Sequence, residues 1–526
     1  MFRSLTLAAF LLALAAPATA PLAHAAEFKW AAQGEAQTLD PHATTEFQTM
    51  AFIGNIYEPL VRRNKDLGLE PALAESWQLV SPTVWRFSLR KNVTFHDGAP
   101  FTADDVLATF ARSRSPGSDA KTKVQNVADI KKIDDFTIEM ITSKPNPILL
   151  SEISDWFIVS KGWCEKNDAM QVADVRKGAE NYATRNANGT GPFKLVSREP
   201  DVRTVLAANE KWWDKPAHNV TRATFMPISN SATRMAALLS GEIDFAQPVP
   251  TQDIKRLSAD SNINVIQGTE ARVIFLGFDQ RRDELLYGSV KDKNPFKDIR
   301  VRKAFNQAID VNAIVSKIMD GAAAARGSLI VRQMKGYTPD LDQRPPYDPA
   351  AAKKLLAEAG YPDGFSVTLD CPNDRYVNDE AVCVAAAAML GRIGVKVNVA
   401  AISKTKYFTK TLSRDTSFFM LGWGSNTVDA HNPLAVVFAT PTPQGNGQWN
   451  MGAYSNPELD ALTDQIRDEL DENKRIALIR QAYKMVNDDF AIIPLFEPAL
   501  VWATRKNVTL DQRADERFEL RSVVKK

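Results

Sequence analysis

The chain has 526 residues, of which 64 are Lys or Arg and 63 are Asp or Glu, so its net charge at pH 7 is +1. This near balance of charges argues against a nucleic acid or an anionic membrane surface as a partner. A chain of this length is too long for one hydrophobic core and suits two or three domains.

The first 25 residues have the pattern of a cleavable secretory signal peptide. Met1–Arg3 is a short, positively charged start, residues 5–16 are mainly apolar, and Ala23-His24-Ala25 is a cleavage signal of small residues. An apolar stretch of about 12 residues is too short to cross ~30 Å of hydrocarbon. No Cys stands at the cleavage point itself, so we expect a mature chain that begins at Ala26, carries no lipid anchor and acts outside the cytoplasm.

The stretch 69–105 predicts strands, a turn and a helix in that order. Within Val84–Arg90 every second residue is large and apolar, which is typical of a strand with one buried face. A turn of sequence HDG follows. Thr102 then precedes a helical pattern and Asp105 lies three positions later, as in a capping box that uses Asp in place of Glu.

A second pattern predicts a parallel sheet further along the chain. A strand pattern at 366–370, a helical pattern at 379–390 and a strand pattern at 395–399 follow one another. This order is that of a βαβ unit, whose two strands lie parallel in one sheet. The alternating stretch 492–502 is expected to return to the first domain.

The string PALAESW…WRFSLRKNVTFHDGAPFTADDV resembles the extracytoplasmic solute-binding proteins of the peptide/nickel family, the receptors that feed ABC importers. Further phrases resemble that family and stand in its order: GTGPFKLV…AANEKWWDKP, ATRMAALLSGEIDFA, VRKAFNQAIDVNAIV and YDPAAAKKLLAEAGYPDGF. The resemblance extends over nearly all of the chain that follows the signal peptide.

This resemblance implies an α/β, two-lobe periplasmic-binding-protein fold of type II, in its extended peptide-binding class, with an extra inserted subdomain. We expect a split domain I made of residues 26–60, 186–280 and 488–526. Residues 61–185 would form the inserted subdomain II, and residues 281–487 would form domain III, the second lobe.

The resemblance also implies a function. The protein would capture a small peptide or peptide-like solute between its lobes in the periplasm and deliver it to an inner-membrane ABC permease with ATPase subunits. We expect a monomer that needs no cofactor and binds no nucleic acid. A receptor for a non-peptide solute, such as a metal–chelator complex, an opine or an amino sugar conjugate, is the alternative.

An enzyme, such as a secreted hydrolase, is the least favoured alternative. The adjacent carboxylates Asp104-Asp105 and Asp134-Asp135 are more simply explained as helix caps or solvated turns, because neighbouring residues point in different directions. The chain has no Gly-x-Ser-x-Gly motif and no kinase or zinc-hydrolase signature.

The loop after the predicted strand at 366–370 carries the first candidate ligand contacts. Arg375 has a fork-shaped cation that suits a ligand carboxylate, and Tyr376 offers a ring and a hydroxyl. A helix-entry loop in which Arg375 pairs with Asp374 is the alternative. Cys371 and Cys383 flank this loop, and we expect a disulfide between them because the chain is exported; two free thiols are the alternative.

A second strand end carries the next candidates. An apolar strand ends at Gly422-Trp423 and opens into a polar loop, where peptide-binding relatives have an Asp three residues after the Trp that pairs with the peptide's α-ammonium group. In this chain that position is Asn426, which is neutral. Either Asp429 takes over the pairing or the ligand has no free peptide N-terminus, because a buried ammonium without a carboxylate is costly. Trp423 as ordinary core and Asp429 as a turn residue remain alternatives.

The remaining candidates are weaker. Trp449 follows a Pro- and Gly-rich loop. It is expected either to cover the cleft or to hold surface segments of the protein together. His42, His96, His218 and His431 have no metal-ligand spacing, so we expect no metal site built by the protein. A nickel complex held by a carrier molecule and one histidine, such as His431, is left open.

Overall fold

The computed structural model describes residues 26–373, 375–425, 427–442 and 446–526. The predicted signal peptide therefore lies outside the described residues. The strands are β1 (Ala26–Ala32), β2 (Val61–Arg63), β3 (Leu69–Pro71), β4 (Ala74–Ser81), β5 (Val84–Leu89), β6 (Val127–Asp134), β7 (Thr137–Thr142), β8 (Phe193–Glu199), β9 (Arg203–Ala208), β10 (Val220–Pro227), β11 (Phe245–Ala246), β12 (Ile263–Thr269), β13 (Val273–Phe278), β14 (Ala323–Ala325), β15 (Ser366–Pro372), β16 (Lys396–Ile402), β17 (Phe418–Trp423), β18 (Ile492–Arg505), β19 (Val508–Thr509) and β20 (Val524–Lys525).

The helices are α1 (Phe47–Ile53), α2 (Ala103–Ser113), α3 (Leu149–Glu152), α4 (Lys161–Lys166), α5 (Tyr182–Arg185), α6 (Ser231–Ser240), α7 (Thr251–Ser258), α8 (Ile299–Ala308), α9 (Val311–Lys317), α10 (Pro349–Glu358), α11 (Asp379–Gly391), α12 (Lys404–Leu412), α13 (His431–Pro433), α14 (Pro457–Asp468) and α15 (Glu472–Asp488).

One sheet of 12 strands runs through the molecule in the order β16-β15-β17-β13-β18-β11-β1-β10-β9-β8, and β12 and β14 also pair with β18. The long strand β18 joins the two halves of this sheet. Its residues 492–496 pair with β13, whereas its residues 499–505 pair with β12.

We name the two halves by their strands. The first lobe contains β1, β8–β12 and residues 499–505 of β18; the second lobe contains β13–β17 and residues 492–496 of β18. Each lobe has its own hydrophobic cores, with Phe28 and Trp502 in one and Phe305 and Phe418 in the other. Two chain crossings connect the lobes, at 270–272 and at 497–498.

The strand pairing favours lobe boundaries that differ from those expected from the sequence. β13 and the first part of β18 hydrogen-bond to the second lobe's sheet, although the sequence-based division placed both in domain I. We propose that the lobes meet at the two crossings rather than at residues 280 and 488. Every residue of β13 is buried, so no polar break marks the boundary in the sequence.

A separate sheet within residues 61–185 contains the first sequence signature, and the elements predicted from that signature are confirmed. β4, β5, β7 and β6 form an antiparallel four-stranded sheet, with Phe87 and Leu89 of β5 buried. Thr102 precedes α2, and its N–H donates to the Asp105 carboxylate at 2.9 Å. This hydrogen bond is one of the two bonds of the predicted capping box, and it fixes the start of the helix.

The predicted βαβ unit is also confirmed and positions the site. β15, α11 and β16 follow in order, and β15 lies parallel to both β16 and β17. Because β15 and β17 run the same way, the loops that follow them leave the same edge of the sheet. β13 is antiparallel to β17, with Val273 opposite Trp423, so the crossing at 270–272 reaches this edge as well.

Candidate ligand-binding cleft

One cavity lies where the lobes meet, and a second adjoins it within the first lobe. One has a volume of about 1120 Å³, including the part open to solvent, and the other has about 860 Å³. Both are lined by Phe47, Ala51, Asn55 and Glu516, so they are two compartments of one cleft. A concave site of this size suits a small-molecule ligand.

The larger cavity, which we call the charged compartment, is lined by ionisable side chains of both signs. They are Glu58, Arg62, Arg63, Asp155, Glu270, Arg272, Arg513, Asp515, Glu516, Arg517, Glu519 and Arg521. The second lobe contributes Gly424, Ser425 and Val428 from the loop after β17. Both lobes therefore line this compartment.

The other cavity, which we call the aromatic compartment, is lined by side chains from distant parts of the first lobe. Its rings are those of Trp30, Phe47, Phe52, Phe225, Trp502 and Phe518. The rings of Trp30 and Phe225 lie 5.2 Å apart between centroids, which is a normal packing distance for aromatic pairs. The wall of this compartment is therefore preformed by the core of the first lobe.

Ion pairs neutralise most of the charged compartment. Arg513 contacts Asp515 at 2.6 Å and Glu519 at 2.5 Å, and Arg517 contacts Asp155 at 2.6 Å. Such pairs hold their side chains in place and leave little net charge for a ligand.

Arg63 is a buried cation in this compartment with no acidic ion-pair partner among the described residues. Its guanidinium donates to the carbonyl oxygens of Leu67, at 2.8 Å, and of Thr427. Burial lowers the pKa of Arg63 to about 10, although the charges of Asp515 and Asp155 act to raise it. Because Thr427 belongs to the second lobe, this hydrogen bond crosses the cleft.

Glu516, like Arg63, lines this compartment and has no oppositely charged ion-pair partner among the described residues. No cation of the described residues lies within ion-pair distance of it, and its neighbouring carboxyl group is that of Glu270, which pairs with Arg272. Burial and the neighbouring Glu270 raise the pKa of Glu516 to about 8, although Arg272 and Arg375 act to lower it. This site therefore holds a proton at neutral pH in the absence of a further cation.

The predicted contacts Arg375 and Tyr376 lie in the loop after β15, as expected. Arg375 is exposed, stacks 4.8 Å from the ring centroid of Tyr376, and has no carboxylate partner among the described residues. The Tyr376 hydroxyl accepts the Gly422 N–H at 2.8 Å. A Cβ on Gly422 would lie 2.8 Å from the Tyr376 ring, so the Gly before Trp423 allows this close approach.

Trp423 and Trp449 lie together on the second lobe. Their ring centroids are 5.5 Å apart, and the Trp423 Nε1–H donates to Asn432 at 3.0 Å. Both are half-buried, and Trp449 lines a separate cavity of about 280 Å³. Their contact with a ligand stays a prediction.

Asp429 and His431 lie beside each other, and the Asp429 carboxylate pairs with Arg475. Both Asp429 oxygens accept from the Arg475 guanidinium at 2.8 Å, and the Asp429 carboxylate also accepts the backbone N–H of His431 at 2.9 Å. Burial acts to raise the pKa of Asp429, but Arg475 lowers it below its ordinary value. A ligand amine at Asp429 would have to share this carboxylate with Arg475.

The expected disulfide is present. Cys371 at the end of β15 and Cys383 in α11 are bonded, with their Cα atoms 6.6 Å apart. The bond ties the loop that carries Arg375 to the helix that follows it. Asn426, the other predicted contact in the β17 loop, lies outside the described residues.

None of the described predicted contacts lines either compartment, although Gly424, Ser425 and Val428, which lie between Trp423 and Asp429 in the sequence, line the charged one. Sequence reasoning missed Glu516, the Glu270–Arg272 pair, Arg63 and the aromatic wall, because tertiary structure brings them together. The one available signal was the dense alternation of charges in QRADERFEL near the C-terminus, which is typical of a paired network.

Within the described ranges, no three His, Cys, Asp or Glu side chains are grouped so that they could hold a metal ion. No helix of those ranges has the length and apolar character needed to cross a membrane.

The sequence model of one protein family, the bacterial extracellular solute-binding proteins of family 5, matches residues 68–444 of the chain. The chain belongs to this family. This assignment confirms the resemblance found in the sequence and makes the protein a solute-binding protein.

Named relatives of this family 5 protein differ in what their names say they bind. It is 28% identical to the dipeptide-binding protein of Escherichia coli strain K12, over 83% of this chain and 82% of the relative. It is 27% identical to heme-binding protein A of Haemophilus influenzae, over 84% of this chain and 81% of the relative. The solved structure of HbpA2 from Haemophilus parasuis superposes with a TM-score of 0.82 at 23% identity, over 95% of this chain and 100% of that one. This structure confirms the two-lobe α/β fold.

Proposed function

We propose that this family 5 protein captures a small peptide or peptide-like solute in the cleft and delivers it to an inner-membrane ABC permease, whose ATPase subunits hydrolyse ATP. The observation that carries the proposal is the cleft itself, lined by both lobes and divided into a charged and an aromatic compartment. A short peptide presents charged ends and apolar side chains, which match these two linings.

Closure of the lobes supplies the proposed mechanism. The two crossings at 270–272 and 497–498 are the hinges, and a ligand between the lobes contacts both of them only when they close. Such a ligand stabilises the closed state by its additional contacts, and the permease then recognises the closed shape.

A cation at the sheet edge near the cleft favours a peptide over a neutral solute. Arg375 carries a cation without a carboxylate partner among the described residues, which suits the carboxylate end of a peptide. The relatives' names include both dipeptide and heme, so sequence identity of this degree does not choose the ligand.

Location and assembly follow the same proposal. The mature protein would begin at Ala26, act in the periplasm as a monomer and leave its ligand chemically unchanged. N-terminal sequencing of the protein recovered from the periplasm tests its location and first residue. Analytical ultracentrifugation tests the monomeric state, and mass spectrometry of the recovered ligand tests whether it is unchanged.

The proposal is tested by binding. Native mass spectrometry of the purified protein should detect a co-purified molecule of peptide composition, and dipeptides should raise the melting temperature. Binding of a non-peptide solute together with no response to any dipeptide would contradict the peptide assignment.

Arg375→Ala should weaken dipeptide binding by roughly 1.5–3 kcal/mol if the guanidinium holds the ligand carboxylate, since this is the usual value of a hydrogen bond to a charged group. Isothermal titration calorimetry measures the change. The control is Arg392→Ala, which removes an exposed Arg of the same lobe that bonds Tyr347. An unchanged dissociation constant for Arg375→Ala would remove it from the site.

A further inference from the structure

Glu516 lies where the two compartments join, and it lines both of them. It comes from the segment between β19 and β20, whereas the resemblance places the amine-binding Asp of peptide-binding relatives in the β17 loop. The two segments are distant in sequence, but Gly424, Ser425 and Val428 of the β17 loop line the same charged compartment as Glu516. The position of that Asp is occupied by the neutral Asn426 in this chain. A cationic ligand group therefore needs its carboxylate from another part of the cleft.

The surroundings of Glu516 have room for one more positive charge. Glu516 and Glu270 are neighbouring carboxyl groups that both line the charged compartment, and the only ion-pair partner of the two among the described residues is Arg272. Arg375 acts on Glu516 electrostatically but forms no ion pair with it. Two neighbouring carboxyl groups that share one paired cation favour a proton on one of them. A ligand ammonium would replace that proton, so that two cations face two carboxylates.

The alternative carboxylate, Asp429, is already neutralised. Its two oxygens both accept from Arg475 at 2.8 Å, and it lines neither compartment. A buried carboxylate held by a bidentate guanidinium gains little from a second cation, whereas an unpaired one gains much.

The aromatic compartment begins beside Glu516. Its lining gives independent evidence about the group attached next to the ligand amine. Its volume is about 860 Å³, and the buried rings of Trp30, Trp502 and Phe518 form part of its wall. An apolar or aromatic side chain attached next to the ligand amine would fit this wall.

We propose that Glu516, supported by Glu270, binds the amino group of the solute and that the aromatic compartment takes the apolar side chain next to that amino group. This inference rests on the proposed function. It narrows the ligand class to peptides or peptide-like molecules with a free amino group and a bulky apolar N-terminal residue.

Three probes measured by isothermal titration calorimetry test the inference: Phe-Ala, Gly-Ala and N-acetyl-Phe-Ala. For the wild type, the loss of the apolar side chain or of the ammonium charge should each weaken binding at least about tenfold. Glu516→Gln should weaken Phe-Ala binding by about tenfold or more and should hardly change the binding of N-acetyl-Phe-Ala, which has no ammonium to lose.

Glu35→Gln is the matched control, since Glu35 is a part-buried acid of the first lobe that pairs with Arg198 and lines neither compartment. It should bind all three probes as the wild type does. Wild-type affinity of Glu516→Gln for Phe-Ala would contradict the amine anchor and leave the proposed function intact. An equal loss for Phe-Ala and N-acetyl-Phe-Ala would show a structural role and also contradict it. Failure of the wild type to bind any probe would contradict the proposed function and this inference together.

Discussion

At the level of single residues, Asp429 and Glu516 are two carboxylates near the cleft with opposite surroundings. Arg475 holds both oxygens of Asp429 and lowers its pKa against the effect of burial. Glu516 has a second carboxyl group as its neighbour, and burial and Glu270 raise its pKa to about 8. The same chemical group is thus a structural ion-pair partner in one place and a protonated, ligand-accessible acid in the other.

Glu516→Gln should change how the free energy of unfolding depends on pH. The folded wild type keeps the Glu516 proton up to a pH of about 8, whereas the unfolded chain loses it near the ordinary value of 4.5. The folded state therefore binds more protons in this window, and the wild type loses stability as the pH rises through it.

The amide of the Glu516→Gln variant does not titrate, so the stability of this variant relative to the wild type should increase with pH between about 4.5 and 8. Urea denaturation at three pH values across this window measures the difference, and Glu35→Gln serves as the control. A difference that stays constant with pH would show that Glu516 titrates normally.

At the level of structural elements, the loop between β15 and α11 is held at both ends. The disulfide closes it from Cys371 to Cys383, 12 residues apart, and the Asp379 carboxylate accepts the N–H groups of Arg375 and Tyr376 at 3.0 Å each. These contacts fix the backbone from which Arg375 extends.

Replacing both cysteines by Ser should lower the free energy of unfolding by about 3 kcal/mol, because the closed loop no longer restricts the unfolded chain. It should also weaken dipeptide binding, since Arg375 loses part of its support. Urea denaturation measures the first effect, and the wild type in a reducing agent should show the same loss. A loss well under about 1 kcal/mol would indicate that the loop is already fixed without the disulfide.

Secondary-structure elements are easier to predict from this sequence than the boundary between the two lobes. The strand in Val84–Arg90, the helix start at Thr102 and the βαβ unit each follow from a local pattern of apolar and capping residues, and each is confirmed. The lobe boundary does not follow from such a pattern, because β13 is buried throughout and β18 nearly so.

The residues that line the cleft are harder still to predict, because a local sequence pattern does not show which distant segments come together. Trp30, Glu270, Trp502 and Glu516 come from four separate segments, and only the folded crossings bring them to one place. No period or spacing in the sequence connects them. The predicted contacts Arg375 and Trp423 lie at the sheet edge where β15 and β17 end, and their binding of a ligand stays a prediction.

At the level of the whole molecule, Arg63 links the part of the chain around β2 to the second lobe. Its guanidinium donates to the carbonyl oxygen of Thr427 across the cleft, and it has no acidic ion-pair partner among the described residues. A charged donor at a neutral carbonyl forms a strong hydrogen bond when the lobes are close, and it is solvated when they are apart.

Arg63→Ala should therefore weaken dipeptide binding about tenfold or more, mainly through faster dissociation, because the closed state loses a charged hydrogen bond worth roughly 1.5–3 kcal/mol. Stopped-flow fluorescence measures the dissociation rate. Arg86→Ala is the control, since Arg86 pairs with Glu139 on the sheet of the inserted subdomain and lines neither compartment. Equal rates for Arg63→Ala and the wild type would exclude a role of this bond in closure.

Small-angle X-ray scattering of the wild type with and without saturating Phe-Ala tests closure around a solute most directly. The account predicts a smaller radius of gyration with the dipeptide, because the lobes rotate about the crossings at 270–272 and 497–498. Scattering curves that superpose at a dipeptide concentration shown by calorimetry to saturate the protein would contradict it.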